Sequence, residues 1–453
     1  MAELITPELP GGFRDYLPAE QTRRTAILRV IEKVYQSFGF LPLDTPEVER
    51  WSVLTGNEVT SMRIYKVDLG NRTDEPLALR FDLTVPLARV VAAYGKDLPK
   101  PFKRYQLGRV FRGETSQRGR YNGFYQFDID TVYSSSMLSD AEVIAVIWNT
   151  FQALKIPRVT IKINNRKILN GLAEMIGVGK KANILFQILD RIEKIGMKQV
   201  VALLQRPPDN ELDETALNLS DSAVRMVQRF LCITLDSTFP LTEVGEFFGN
   251  STQIGHTGIQ ELRQVQEYIQ SMDVPSERVV VDLSVARGLG YYTGPVFETS
   301  LDDLPSIGSV FSGGRYDGLV GRFADTSVPA TGASIGVDRL FAALEELNAL
   351  QQFAATATQV FIQVFDQKFL PQYLELASRL RENNLATEVY SGDELAFKSQ
   401  LTYAIKQGIP LVVIGGPEEL EKGIWQVKDL RTREQVPVDN SMLVAHLRRA
   451  LMK

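Results

Sequence analysis

KRYQLGRVFRGETSQRGRYNGFYQFDIDTVY, residues 103–133, is the stretch from which the fold can be read. Its two flanks alternate in β fashion around a polar, glycine-containing tip. The alternation predicts a long β hairpin with its loop at Glu114–Arg120. Residues 103–121 hold six basic side chains (Lys103, Arg104, Arg109, Arg112, Arg118, Arg120) against one acid, Glu114. Arginine forks match phosphate oxygens two at a time. Solvated charge on an exposed hairpin is the plainer reading. Two features count against it: Arg112 directly follows Val110 and Phe111, and the returning strand brings Gln126, Asp128 and Asp130.

Working outward, residues 21–38 read as an amphipathic helix, with Ile27, Ile31, Val34 and Phe38 on one face and Gly39 as the stop. Leu77–Arg80 reads as a short strand followed by a helix from Val85. Asp140–Leu154 is helical, and Val159–Asn164 extended. Residues 166–275 change character to a mostly helical pattern, in which Ile184, Ile188, Ile192 and Ile195 form one stripe at spacings of 4, 4 and 3. This predicts an inserted helical module. Strands return at Arg278–Asp282, Val296–Thr299 and Ser309–Ser312, and a helix begins near Val337. Residues 349–358, small and polar, read as a linker. Beyond it Val360–Phe365, Leu370–Glu382, Ala386–Tyr390, Phe397–Gln407 and Leu411–Ile414 alternate strand and helix, which implies a separate α/β domain over 359–453. The chain is thus expected to divide into 1–165, an insertion at 166–275, 276–348, the linker and the terminal domain.

Composition narrows the function. The 453 residues are 44% hydrophobic and 23% charged, which excludes a disordered or coiled-coil chain. One cysteine, Cys232, and two histidines, His256 and His446, are too few for a Cys/His zinc site. Any cation would be held by carboxylates or substrate phosphates, which points to magnesium. The net charge of −5 shows no global nucleic-acid footprint, although local basic patches remain. No stretch approaches the apolar length of a membrane span, and MAELITPELP is not a signal peptide, so a cytoplasmic protein is expected.

Four more segments carry chemistry. ARGLGYYTGPVF (286–297) sets Arg287 before a glycine-bounded turn with Tyr291 and Tyr292, which suits an anion beside a polar ring; an aromatic hairpin turn is the alternative. FSGGRYDGL (311–319) has paired glycines that allow close backbone approach to a flat ligand. GASIGVDRL (332–340) is a strand, a glycine, then a helix with Arg339 near its start. LRFDLT (79–84) places Asp82 either as a helix N-cap or as a ligand group.

In order and spacing, these segments resemble the histidyl-tRNA synthetases, a family of class II aminoacyl-tRNA synthetases, over nearly the whole chain. PGGFRD (10–15) resembles the family's opening segment, and the helix from residue 21 with Pro46 resembles the dimerisation motif 1. FRGE (111–114) through FYQFDID (124–130) resembles motif 2. ARGLGYYTG and SGGRYDGL resemble the two histidine signatures, and GVDRL (336–340) resembles motif 3. KSQLTYA (398–404) and VKDL (427–430) resemble parts of the anticodon-binding domain.

The resemblance implies an α+β fold: a catalytic antiparallel sheet flanked by helices, a helical insertion and a C-terminal α/β anticodon-binding domain. It implies a cytoplasmic homodimer that activates L-histidine with ATP and magnesium and charges histidine tRNA. Arg112, Arg287 and Arg339 would be catalytic. Asp82, Leu83, Thr84, Arg112, Gln126, Asp130, Arg287, Tyr291 and Tyr292 would bind histidine. Arg112, Glu114, Arg120 and Arg339 would bind ATP, and Gln117 would contact the tRNA acceptor; no metal site is built from the protein itself. The chain departs from the family at Gly290, where an acid is usual, and at Thr115 in the motif 2 loop. Asp82 resembles the eukaryotic and archaeal variant. A second reading is a silent paralogue, the regulatory subunit of ATP phosphoribosyltransferase. That paralogue typically lacks the terminal domain and has eroded arginines, whereas this chain keeps Arg112, Arg287, Arg339 and residues 359–453.

Overall fold

The computed structural model describes residues 5–56, 64–70, 75–113, 115, 119–209, 213, 215–236, 240–286 and 291–452. Its chain forms two compact units, one of residues 1–14 and 30–347, the other of 15–29 and 348–453. The helix α1 (Pro18–Ser37) spans the division, and Gly39 follows it at φ +80. Ile27, Ile31 and Tyr35 are its buried apolar residues; Val34 and Phe38 are only half-buried.

The first unit is organised by one sheet. Its strands are β1 (Leu41–Pro42), β2 (Phe102–Phe111), β3 (Gly123–Val132), β4 (Val159–Asn165), β5 (Val279–Val281), β6 (Pro295–Leu301), β7 (Phe311–Arg315) and β8 (Ala330–Gly336). They lie in the order β1-β2-β3-β8-β7-β6-β4-β5. Pairing is parallel only at the two ends, β1 with β2 and β4 with β5. Elsewhere it is antiparallel. Three longer helices flank the sheet elements: α2 (Thr84–Tyr94), α3 (Met137–Ala153) and, opening after β8, α6 (Val337–Glu346).

Register explains why one face of this sheet is polar and the other dry. Residues paired across antiparallel strands share a face. Tyr105, Ile129 and Ala333 form one row and Phe127, Ile335 and Phe311 another, all on one face. Arg315 belongs to that face too, and its guanidinium is bonded to the buried Asp140 of α3, so α3 covers the apolar side. Tyr35 packs there on Phe127, ring centroids 4.8 Å apart. The opposite face carries the rows Arg104–Asp130–Gly332–Gly314 and Gln106–Asp128–Ser334–Ser312.

Between β4 and β5 the chain is helical, from α4 (Arg166–Met175) to α5 (Gln253–Gln270). The single stripe expected at Ile184–Ile195 is split. Ala182–Leu189 and Ile192–Gln205 are separate helices, and Leu185, Phe186, Ile188 and Leu189 are the buried residues of the first.

The second unit holds a sheet of β9 (Val360–Ile362), β10 (Thr387–Val389), β11 (Leu411–Ile414), β12 (Ile424–Asp429) and β13 (Gln435–Asp439), ordered β10-β9-β11-β12-β13. The first three are mutually parallel and the last two antiparallel. Helices α7 (Leu370–Glu382), α8 (Phe397–Gln407) and α9 (Leu443–Leu451) accompany it. Residues 349–352 of the expected linker form a turn of 3-10 helix. No helix among the described residues is long and apolar enough to cross a membrane.

Candidate functional site

The polar face of the sheet opens into two cavities that share a wall. The inner one, of about 240 Å³, is lined by Asp82, Thr84, Asp128, Asp130, Tyr291, Tyr292 and Tyr316. The outer one, of about 330 Å³, is lined by Arg120, Tyr121, Phe124, Asp338 and Arg339. Arg112, Gln126, Ser312 and Ser334 line both.

Each polar group arrives by a local rule. Gln126, Asp128 and Asp130 are alternate residues of β3, so one strand presents all three on one face. Arg104 stands opposite Asp130 in register and is fully buried; its Nη2 lies 2.7 Å from Asp130 Oδ2. The Tyr316 hydroxyl donates to Asp130 Oδ1. Burial pushes Asp130 up to about 6 despite the pull of Arg104 and the Tyr316 hydrogen bond. Asp128 is pushed higher, to about 7: burial raises it most, Arg104 opposes, and the neighbouring Asp130 charge adds to the rise. Burial likewise raises Asp82 and holds the Tyr291 phenol well above its ordinary value.

Asp82 is placed for either of the roles that its position allowed. Its Oδ1 accepts from the Val85 amide at 3.1 Å, near the start of α2, while Oδ2 is buried without a hydrogen-bond partner. Arg112 is fixed by its Nε, which donates to the Phe81 carbonyl at 2.9 Å, and its guanidinium sits 5.2 Å from the Phe124 ring centre. Arg339 donates to the Ser309 carbonyl. The adjacent Asp338 accepts from the Tyr125 amide at 2.9 Å, which seats the start of α6 on β3. Arg120 is exposed at the mouth.

The glycines make the room. A Cβ at Gly332 would lie 2.0 Å from Asp130 Oδ1 and 2.4 Å from the Ile129 carbonyl oxygen. One at Gly314 would lie 2.6 Å from the Pro295 carbonyl oxygen and 3.0 Å from Tyr292 Cδ1. No group of three or more His, Cys, Asp or Glu side chains among the described residues could hold a metal ion.

Of the expected site residues, Asp82, Thr84, Arg112, Gln126, Asp130, Tyr291 and Tyr292 gather at the inner cavity, and Arg112, Arg120 and Arg339 at the outer. Leu83 differs: its side chain is fully buried in the core, and its carbonyl accepts from Arg104 at 3.2 Å. An apolar side chain between Asp82 and Thr84 turns inward when the polar residues on each side face the cavity. Glu114, Gln117 and Arg287 lie outside the described residues, as does Gly290. Contributors not anticipated as site residues include Arg104, Asp128, Tyr316 and Ser334. For Asp128 the signal was present, since it sits midway between Gln126 and Asp130 in a period of two.

This arrangement offers an anionic, phenol-lined recess for a cationic or hydrogen-bonding ligand beside an arginine-edged recess for an anion. The family model described as Histidyl-tRNA synthetase matches residues 12–340, and that described as Anticodon binding domain matches residues 359–450. A histidine–tRNA ligase of Wolinella succinogenes is 40% identical over 96% of each chain. One from Rhodopirellula baltica is also 40% identical, again over 96% of each. The crystal structure of histidyl-tRNA synthetase from Nostoc sp. PCC 7120 aligns with a TM-score of 0.85 at 34% identity, covering 98% of this chain and 100% of that one. These matches favour the synthetase over the regulatory paralogue. The chain belongs to the histidyl-tRNA synthetase family.

Proposed function

We propose that the protein, a histidine–tRNA ligase like its relatives, joins the carboxylate of L-histidine to the α-phosphate of ATP across the wall between the two cavities. Histidyl-adenylate and pyrophosphate are the products, and histidine then passes to the 3′ end of its tRNA. The observation that carries this reading is the position of Arg112, which lines both recesses. A carboxylate entering from the acidic side and a phosphate from the arginine side would meet at that guanidinium.

The chemistry asks little of acid–base groups. A carboxylate is already ionised at neutral pH, so the protein must orient it and offset the charge that develops on phosphorus. In this reading Arg112 neutralises the carboxylate and the α-phosphate, Arg287 approaches the same phosphate from the histidine side, and Arg120 and Arg339 hold the outer phosphates. Glu114 reads the adenine amino group. Asp130 and Tyr292 hold the imidazole, with Tyr291 adjacent, while Asp82, Thr84 and Gln126 take the α-ammonium. Gln117 meets the acceptor end of the tRNA.

A magnesium ion carried in on the nucleotide would be held by its phosphates and water. Bound there, it would neutralise the β- and γ-phosphates. We further assign residues 359–453 to anticodon binding, residues 166–275 to an inserted module, and α1 with Pro46 to a homodimer interface, in the cytoplasm.

ATP–pyrophosphate exchange, run with each amino acid in turn, tests the reading. Exchange with histidine alone is expected. Histidine binding without exchange would return the protein to the regulatory class.

A further inference from the structure

The inner cavity holds more carboxylate than the assigned roles use. Asp130 is already engaged, by Arg104 and by Tyr316. Three other acceptor atoms there are buried without a hydrogen-bond partner: Asp82 Oδ2, Gln126 Oε1 and Asp128 Oδ1. All three side chains are more than nine-tenths buried, and all three line the cavity. A buried acceptor left unpaired costs roughly 1–3 kcal/mol, so three together in one recess imply a ligand that brings donors. An alkylammonium group brings three N–H donors and a charge that two carboxylates favour.

We propose that Asp128 is a further acceptor for the α-ammonium of the amino-acid substrate, so that beside Thr84 the ammonium meets a tripod of Asp82, Gln126 and Asp128. The assignment rests on the synthetase reading and adds to it a specificity residue. Gln126 and Asp128 are i and i+2 on β3, and the Gln126 amide donates to the Ser334 hydroxyl at 2.7 Å. That bond turns the Gln126 carbonyl oxygen away from Ser334 and leaves it free to accept.

Charge makes the tripod sensitive to pH. Asp128 faces Arg104 from β2, Asp130 on its own strand, Asp82 ahead of α2 and Ser334 from β8. It also acts electrostatically on Arg80, on Tyr35 of α1 and on Tyr291. With its carboxyl raised to about 7, Asp128 is largely protonated in the free protein below neutrality. Ammonium binding favours the ionised form, so the substrate displaces a proton as it docks. Affinity for histidine therefore rises with pH through this window.

Asp128→Asn keeps the shape and an acceptor but removes the charge and its titration. In histidine-dependent pyrophosphate exchange, the variant's KM for histidine should rise about 10- to 100-fold, the range for a hydrogen bond to a charged group. Its KM for ATP should stay within about twofold. Wild-type KM for histidine should fall between pH 6 and 8 more steeply than that of the variant, a difference that a purely structural role would not produce. Histamine, which keeps the amine, should compete against histidine less well in the variant. Imidazolepropionate, which lacks the amine, should compete equally in both proteins. Circular dichroism confirms that the variant folds, and Asp128→Glu should restore part of the affinity and the pH slope. An unchanged KM for histidine, or equal pH slopes, overturns the assignment. Absence of exchange in the wild-type protein would instead overturn the synthetase reading.

Discussion

Gly332→Ala places one methyl group in a tightly confined part of the inner cavity. The 2.0 Å from its Cβ to Asp130 Oδ1 falls short of ordinary contact near 3.4 Å, so the carboxylate must retreat by roughly 1.4 Å. It cannot do so freely, because Tyr316 and Arg104 grip it from two sides. The strand cannot simply yield either, since the Ile129 carbonyl oxygen lies 2.4 Å away and β3 is paired along its length. Overpacking of this kind costs about 1–3 kcal/mol in stability. Displacing Asp130 would also weaken the charged hydrogen bond proposed between it and the imidazole, worth about 1.5–3 kcal/mol, which predicts a KM for histidine about 10- to 100-fold higher. KM for ATP should change less than threefold, as Arg120 and Arg339 lie in the other recess. Gly318→Ala is the control, a glycine of the SGGRYDGL segment with no atom within 4 Å of the added Cβ; it should behave as wild type. Pyrophosphate exchange with each substrate varied separately reads both constants. A Gly332→Ala protein with normal KM for histidine, or with both constants raised alike, would refute the argument.

Other outcomes are expected elsewhere. Arg112→Ala should lower kcat of exchange on the order of 10²–10³-fold, as for the loss of one transition-state donor; stopped-flow adenylation at the wild-type rate would remove Arg112 from the mechanism. Arg315→Met leaves Asp140 buried without its cation and should cost about 3–5 kcal/mol by urea unfolding, much of it regained on adding Asp140→Asn. Equal stability of single variant and wild type would show that Asp140 has another partner. Asp128 and Asp130 hold protons to about 7 and 6 when folded, but only to about 4 when unfolded. Between those values the folded state binds more protons, so their contribution to stability is fullest near pH 4 and is lost as pH rises toward 7. Melting of the ligand-free Asp128→Asn protein should depend less on pH over that range; an identical profile would contradict the raised carboxyl.

Much of the catalytic unit was legible because strand alternation and glycine placement are local signals. The hairpin was expected from 103 with its tip at Glu114–Arg120, and its strands run over 102–111 and 123–132. α8 and β11 match their expected bounds. The inserted helices were harder. Isoleucines at spacings of 4, 4 and 3 suit one continuous face, but the chain turns at Asp190–Arg191 and buries a different set. On α1, Tyr35 replaces Val34 in the core, because a large ring can fill the space beside Phe127 that a valine one position earlier leaves open. β12, β13 and α9 were not anticipated; Pro437 in β13 masks a strand pattern that is tolerated at a sheet edge. Arg104 and Tyr316 were overlooked as site residues because their roles depend on cross-strand register. Which residue stands opposite Asp130 cannot be read from either strand alone.

That register also gives the nascent chain a way to reject its own mistakes. Asp128 and Asp130 alternate with Phe127 and Ile129 along β3, so a slip of one residue would exchange the two faces wholesale. Two carboxylates, Asp128 and Asp130, would then press against the aromatic side chains under α1 and α3, while Phe127 and Ile129 faced the open cleft. Such a pairing would bury charge and expose apolar side chains, so it is strongly disfavoured against the native register. The acidic pocket thus acts as a proofreader of folding before it ever meets a ligand. A molecule that completes its core has, by the same pairing, already assembled this face of its site.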